Sequence, residues 1–114
     1  MKIAIVGSRN IESIDVNRYL PKYCNEIISG GARGVDKLAE QLAKDNKIKL
    51  TVFLPEYRRY GRGAPIVRNK MIVDYADEVI AFWDGCSKGT EWIINYCKRI
   101  EKPCRIIIYE RVCK

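Results

Sequence analysis

Five short apolar runs, Lys2–Val6, Glu26–Ser29, Leu50–Leu54, Glu78–Phe82 and Arg105–Tyr109, recur along the chain with helical patterns between them. Several lack strict alternation, as expected of strands covered on both faces. Between the second and third runs, Val35, Leu38, Ala39, Leu42 and Ala43 form one apolar helical stripe at i, i+3, i+4, i+7 and i+8. Ile93, Tyr96, Cys97 and Ile100 repeat that stripe before the last run. A further helix is expected from near Pro65, a residue suited to a first helical turn, burying Val67, Met71, Ile72 and Tyr75. The earliest pattern, Val16, Tyr19, Leu20 and Tyr23, is cut short by Pro21. Strands alternating with helices imply βαβ units and a parallel sheet. The doubly wound rule then gives an α/β fold of three layers, Rossmann-like or flavodoxin-like, with five parallel strands in the order 3-2-1-4-5. At 114 residues, one domain over 1–114 is expected.

The unusual residues gather after the carboxyl ends of these strands, where open α/β sheets bind ligands. Gly7-Ser8-Arg9 follows the first and Ser29-Gly30-Gly31-Ala32-Arg33-Gly34-Val35-Asp36 the second. The basic-aromatic stretch Tyr57–Gly63 follows the third, and Trp83-Asp84-Gly85-Cys86-Ser87-Lys88-Gly89-Thr90 the fourth. The glycines permit close backbone approach and positive φ. A helix opening near Ala32 would offer free N–H groups and a positive dipole end to a phosphate, with Arg33 as a fixed cation. Ser87, Gly89 and Thr90 are read in the same way. Arg68 and Asn69 begin the third helix, and Arg68 is expected either on a solvated face over Met71 or pointing into the crevice to meet a phosphate bidentately. Trp83 suits the core or a stacking rim. Asp36 is read as a brace for its helix start, and Asp84 and Glu91 as the carboxylates of the crevice.

Composition narrows the chemistry. No apolar run approaches the ~20 residues that span a bilayer, and the opening Met1–Val6 is too short for a signal peptide, so a cytoplasmic protein without membrane contact is expected. The five cysteines, at 24, 86, 97, 104 and 113, are odd in number and form no C-x-x-C pair; reduced thiols and no disulfide framework are expected. With no histidine, no metal site and no cofactor is indicated, and any catalysis rests on carboxylates, Tyr, Lys or Cys. The net charge of +7 favours anionic partners without naming them. Tyr75, Trp92 and Tyr96 offer apolar surface for a homodimer.

At these residues the chain resembles the SLOG superfamily of Rossmann-like domains, and within it the small proteins carrying the domain of unknown function numbered 2493. The resemblance runs from Met1 to about Tyr109. It rests on Gly7-Ser8-Arg9, Ser29–Asp36, Arg68-Asn69 with Met71, and Ala76–Gly85 with Ser87, Gly89 and Thr90. It implies a nucleotide-derived ligand bound by Gly7, Ser8, Arg9, Gly30, Gly31, Arg33, Gly34, Asn69, Trp83, Ser87, Gly89 and Thr90. Two branches of the superfamily imply different activities. The chain is similar to the Lonely Guy phosphoribohydrolases at Arg68 with Met71 and at Gly89-Thr90, which implies an N-glycosidic hydrolase using Arg68, Asp84 and Glu91. Ile93 stands where those enzymes carry a glutamate, and Glu91 lies two residues early, about 200° round the helix. It also looks like the DNA-processing protein A domain at Ser29–Asp36, which implies single-stranded nucleic-acid binding through the basic-aromatic loop. Sensor, weak hydrolase and nucleic-acid binder are the alternatives that the resemblance implies.

Overall fold

The computed structural model describes residues 1–109; the end of the expected unit, including Cys113, lies outside the described residues. Strands β1 (Lys2–Gly7), β2 (Glu26–Ser29), β3 (Lys49–Val52), β4 (Glu78–Trp83) and β5 (Cys104–Ile108) form one parallel sheet in the order β3-β2-β1-β4-β5, as the alternation of elements predicts. The helices are α1 (Val35–Asp45), α2 (Tyr57–Tyr60), α3 (Ala64–Tyr75) and α4 (Lys88–Ile100).

Successive strand side chains point to opposite faces, and the apolar residues of β1 accordingly divide between two cores. Ile3 and Ile5 join Ile27, Ile80 and Phe82 under Val35, Ala39, Leu42 and Ala43 of α1. Ala4 and Val6 join Ile28, Val79 and Ala81 under Ile72 and Val73 of α3 and Ile93, Ile94 and Cys97 of α4. The register sets Ala4 beside Ile28 and Val79, so the sorting carries across the sheet. Continuous apolar runs are needed because both faces are covered.

Local differences from the sequence expectations have physical causes. Before Pro21 there is only a single 3₁₀ turn, Val16–Tyr19, since proline cannot supply the next helical N–H. Helix α1 begins at Val35 rather than near Ala32, because Gly34 adopts φ 79° and breaks the helical path. Helix α3 does not bury Met71, which is 42% exposed; its inward residues are Ala64, Arg68, Asn69, Ile72 and Val73. The polar pair takes inward positions that an apolar stripe would otherwise occupy. On α4, Ile100 is exposed in the last turn. The basic-aromatic stretch is helical: α2 is followed by a 3₁₀ turn, Gly61–Gly63, that leads into α3.

The aromatic surface expected at a dimer contact is partly used within the chain. Tyr96 is buried, stacks on Trp92 at 5.1 Å and donates its hydroxyl to Asp74, while Tyr75 packs edge-on against Phe53. Cys86 is disulfide-bonded, so the expectation of reduced thiols fails there: it is an exposed loop residue rather than a buried small hydrophobe. Cys24, Cys97 and Cys104 are free thiols. Among the described residues, no helix is long and apolar enough to cross a membrane.

Phe82 is 0% exposed and meets Tyr19 edge-on, with ring centroids 5.4 Å apart. Phe82→Ala is expected to lower the unfolding free energy by about 3–5 kcal/mol, read as a shift of the denaturant midpoint at unchanged m-value.

Candidate functional site

A cleft of about 340 Å³ opens at the carboxyl edge of the sheet, between the loops after β1, β2 and β4 and the first turns of α3 and α4. It lies where the strand order reverses, with β1 and β4 adjacent and their helices on opposite faces.

Its most constrained member is Arg68, only 8% exposed. The guanidinium donates from Nη1 to the carbonyl oxygen of Gly30 at 2.6 Å and from Nε to Asn69 Oδ1 at 2.9 Å. Burial pushes its pKa down, and the neighbouring Asp36 carboxylate works against that shift. Arginine meets this need better than lysine, since its planar fork satisfies two fixed acceptors from two different nitrogens. The reading of Arg68 as part of a solvated face is thereby corrected: the residue is buried at the cleft wall.

Asp36 stands next to it and is 6% exposed. Its Oδ2 accepts the N–H of Ala32 at 3.1 Å, so it braces the helix start as expected. It also lines the cleft, which the sequence reading assigned to Asp84 and Glu91. Burial raises the Asp36 pKa to about 6, against the lowering effects of the Ala32 N–H, the Arg68 charge and the Gly30 N–H; Glu40 adds to the rise. The first-turn position after a glycine was a visible signal, but dipole bracing accounted for it fully.

Asp84 has a different environment. Burial alone would raise its pKa, yet the N–H groups of Cys86 and Ser87, both 2.8 Å from Oδ1, hold it below the usual carboxylate range with help from Ser8 and Asn10. The Asp84 N–H donates in turn to Ser8 Oγ at 3.2 Å. Ser8, 1% exposed, thus ties the loop after β1 to the loop after β4 instead of facing the cleft.

The remaining sequence-predicted residues divide. Gly7, Arg9, Gly30, Arg33, Asn69, Ser87, Gly89 and Thr90 line the cleft, with Arg9 and Arg33 exposed. Gly31, Gly34, Trp83 and Glu91 do not. Gly34 acts from behind: at φ 79° a side chain would be strained, and its Cβ would lie 2.6 Å from the carbonyl oxygen of Arg9. Trp83, half-buried, packs against one core and donates Nε1–H to the Ser87 carbonyl. Glu91 is half-buried on α4 outside the cleft, and Thr90 and Ile93 take the inward positions. The backbone cradle expected at Gly30–Gly34 is partly spent, because the Gly31 N–H donates to Ser29 Oγ and the Ala32 N–H to Asp36. Asn10, Ala32 and Asp36 complete the polar lining over an apolar floor of Val6, Ile72 and Ile93.

A doubly wound α/β domain with an arginine-bearing cleft at its switch point is the class that fold and site define. Residues 1–58 match the family model described as DNA recombination-mediator protein A, and the chain belongs to that family. The match spans the loops after β1 and β2 and ends inside α2. No curated protein and no solved structure matches the chain.

The folded pKa of Asp36, about 6 against an ordinary 3.8, means that the folded state binds more protons than the unfolded state between those values. Its contribution to stability is therefore present in acid and is lost as pH rises through about 6. The stability difference between wild type and Asp36→Asn is expected to fall by on the order of 3 kcal/mol from pH 3.5 to pH 7. Denaturant titrations of both proteins at each pH measure it, and a difference flat with pH would place the Asp36 pKa near its ordinary value.

Proposed function

We propose that the chain binds a phosphate-bearing nucleotide in this cleft, as a sensing or holding domain. The observation that carries the reading is Arg68, whose two internal bonds fix its guanidinium in the cleft wall. A prepositioned cation with little remaining side-chain freedom binds an anion with less entropy lost than an exposed one does. Arg9 and Arg33 add charge at the mouth, and the floor of Val6, Ile72 and Ile93 suits the apolar parts of a sugar or base. The volume falls at the small end of the range for ligand sites.

Turnover has less support. Cleaving an N-glycosidic bond develops positive charge on the sugar, which a facing carboxylate stabilises. Glu91 lies outside the cleft, and Asp84 Oδ1 is engaged by two loop N–H groups. We therefore read AMP, GMP, CMP and UMP as candidate ligands rather than substrates.

Single-stranded nucleic acid is a second reading, favoured by membership of the recombination-mediator family. Tyr57 and Tyr60 are 59% and 38% exposed and stand among the exposed Arg58, Arg59 and Arg62. Aromatic and basic groups interleaved in this way offer stacking and backbone contacts to a strand.

Calorimetry with the four mononucleotides and with a single strand of roughly ten nucleotides tests both readings. Arg68→Ala is expected to lower mononucleotide affinity by roughly 10–100-fold, the worth of a charge-assisted bond, while Glu91→Gln leaves it unchanged. Mononucleotide affinity should respond weakly to salt. Strand affinity should fall by orders of magnitude between ~50 and ~200 mM salt. Binding of the strand alone would favour the second reading, and binding of neither would end both.

A further inference from the structure

Asp36 is buried at the cleft wall, and its carboxyl does not form a direct ion pair with Arg68 among the described residues. The two groups meet across Gly30: a Cβ there would lie 3.0 Å from Arg68 Nη1 and 3.0 Å from Asp36 Oδ2. Arg68 does not depend on Asp36 for its position, since the Gly30 carbonyl and Asn69 hold it. Other charges and titratable groups reach this corner from every neighbouring element. Glu40 comes from the next turn of α1, Arg9 from the loop after β1, Arg33 from the loop after β2, Asp84 from the loop after β4, and Tyr57 from α2 toward Arg68.

We propose that Asp36 makes anion binding in the cleft proton-coupled: a phosphate or sulfate group seated against Arg68 is accompanied by uptake of one proton at the Asp36 carboxyl. This rests on the phosphate-binding reading above and adds the residue that decides which charge state of the cleft accepts the ligand. An ionised Asp36 opposes an incoming anion through a medium of low dielectric, where Coulomb terms are large. Protonation removes that opposition and leaves Arg9, Arg33 and Arg68 against Asp84. The neutral carboxyl can also donate a hydrogen bond to an anionic oxygen, which a carboxylate cannot. Its pKa of about 6 makes the proton available near neutral pH.

Sulfate is the probe, because its charge is constant over the range tested whereas a phosphomonoester titrates near pH 6 itself. In calorimetry on the wild type, sulfate affinity is expected to fall roughly tenfold between pH 6 and pH 7.5. Titration in buffers of different ionisation enthalpy should then give uptake approaching one proton per sulfate at the higher pH. In Asp36→Asn the affinity should be level with pH and, at pH 7.5, tighter than wild type. As a check that needs no variant, the NMR titration midpoint of the Asp36 carboxyl should rise on saturation with sulfate. A wild-type affinity independent of pH, the same pH dependence in Asp36→Asn, or an unmoved Asp36 midpoint would each overturn the proposal while leaving phosphate binding intact. Absence of sulfate and mononucleotide binding by both proteins at every pH would instead remove the underlying reading, and the coupling with it.

Discussion

The guanidinium of Arg68 joins parts of the molecule that have no other reason to sit together. Helix α3 belongs to one face of the sheet and α1 to the other. Arg68 reaches from α3 over the carboxyl edge to the Gly30 carbonyl, and beside it stands Asp36 from the first turn of α1. Burying an arginine is costly unless its donors are met, and here a main-chain oxygen and an amide oxygen meet two of them. The bond to Gly30 also restricts residue 30, because a side chain there would press on both Arg68 and Asp36 at 3.0 Å. The glycine-rich loop, the polar face of α3 and the start of α1 are one construction.

The two carboxyl groups of the cleft show how environment assigns different work to the same chemistry. Both are buried, and burial pushes both upward. Asp84 overcomes this through two short bonds from loop N–H groups, so it stays ionised and fixes the entry to α4. Asp36 receives fewer compensating bonds, and its charge is the less well supported of the two. Asp36 also lies deeper, so desolvation weighs more heavily against its charge, while hydrogen bonds to the charged form outweigh a lighter desolvation at Asp84. The result is one structural negative charge, held by loop N–H groups, and one conditional charge at the cleft wall.

The sheet was legible in the sequence because its signal is redundant. Five apolar runs separated by helical patterns admit few arrangements, and the Val35–Ala43 stripe shows how α1 must lie. Helix α3 was not legible in the same way. Its inward face carries Arg68 and Asn69, so apolar periodicity pointed to Val67 and Met71, and the true face is visible only from what the edge of the sheet requires. The same cause hid Asp36. A first-turn acid is already explained by the helix dipole, and nothing local marks the arginine, thirty-two positions away, that stands across Gly30 from it. Ser8 and Glu91 failed for a different reason. Position beyond a strand end or near a helix start fixes the edge a residue occupies, while the direction of its side chain depends on partners such as the Asp84 N–H.

The cleft is assembled from both sides of the family boundary. Arg9, Arg33 and Asp36 fall within the segment matched to the recombination-mediator model; Arg68, Asn69 and Asp84 fall beyond it. The two segments are joined through the adjacent strands β1 and β4, so the proposed ligand would engage both. The arginines divide by depth as well as by origin. Arg9 and Arg33 are exposed, so their attraction extends only over about a Debye length, 8–10 Å in ordinary salt, and it weakens as salt rises. Arg68 is withdrawn from solvent and is screened much less. On the proposed reading, exposed cations at the mouth would govern how an anion arrives, whereas the buried cation, fixed by the Gly30 carbonyl and adjoined by Asp36, would govern how long it stays.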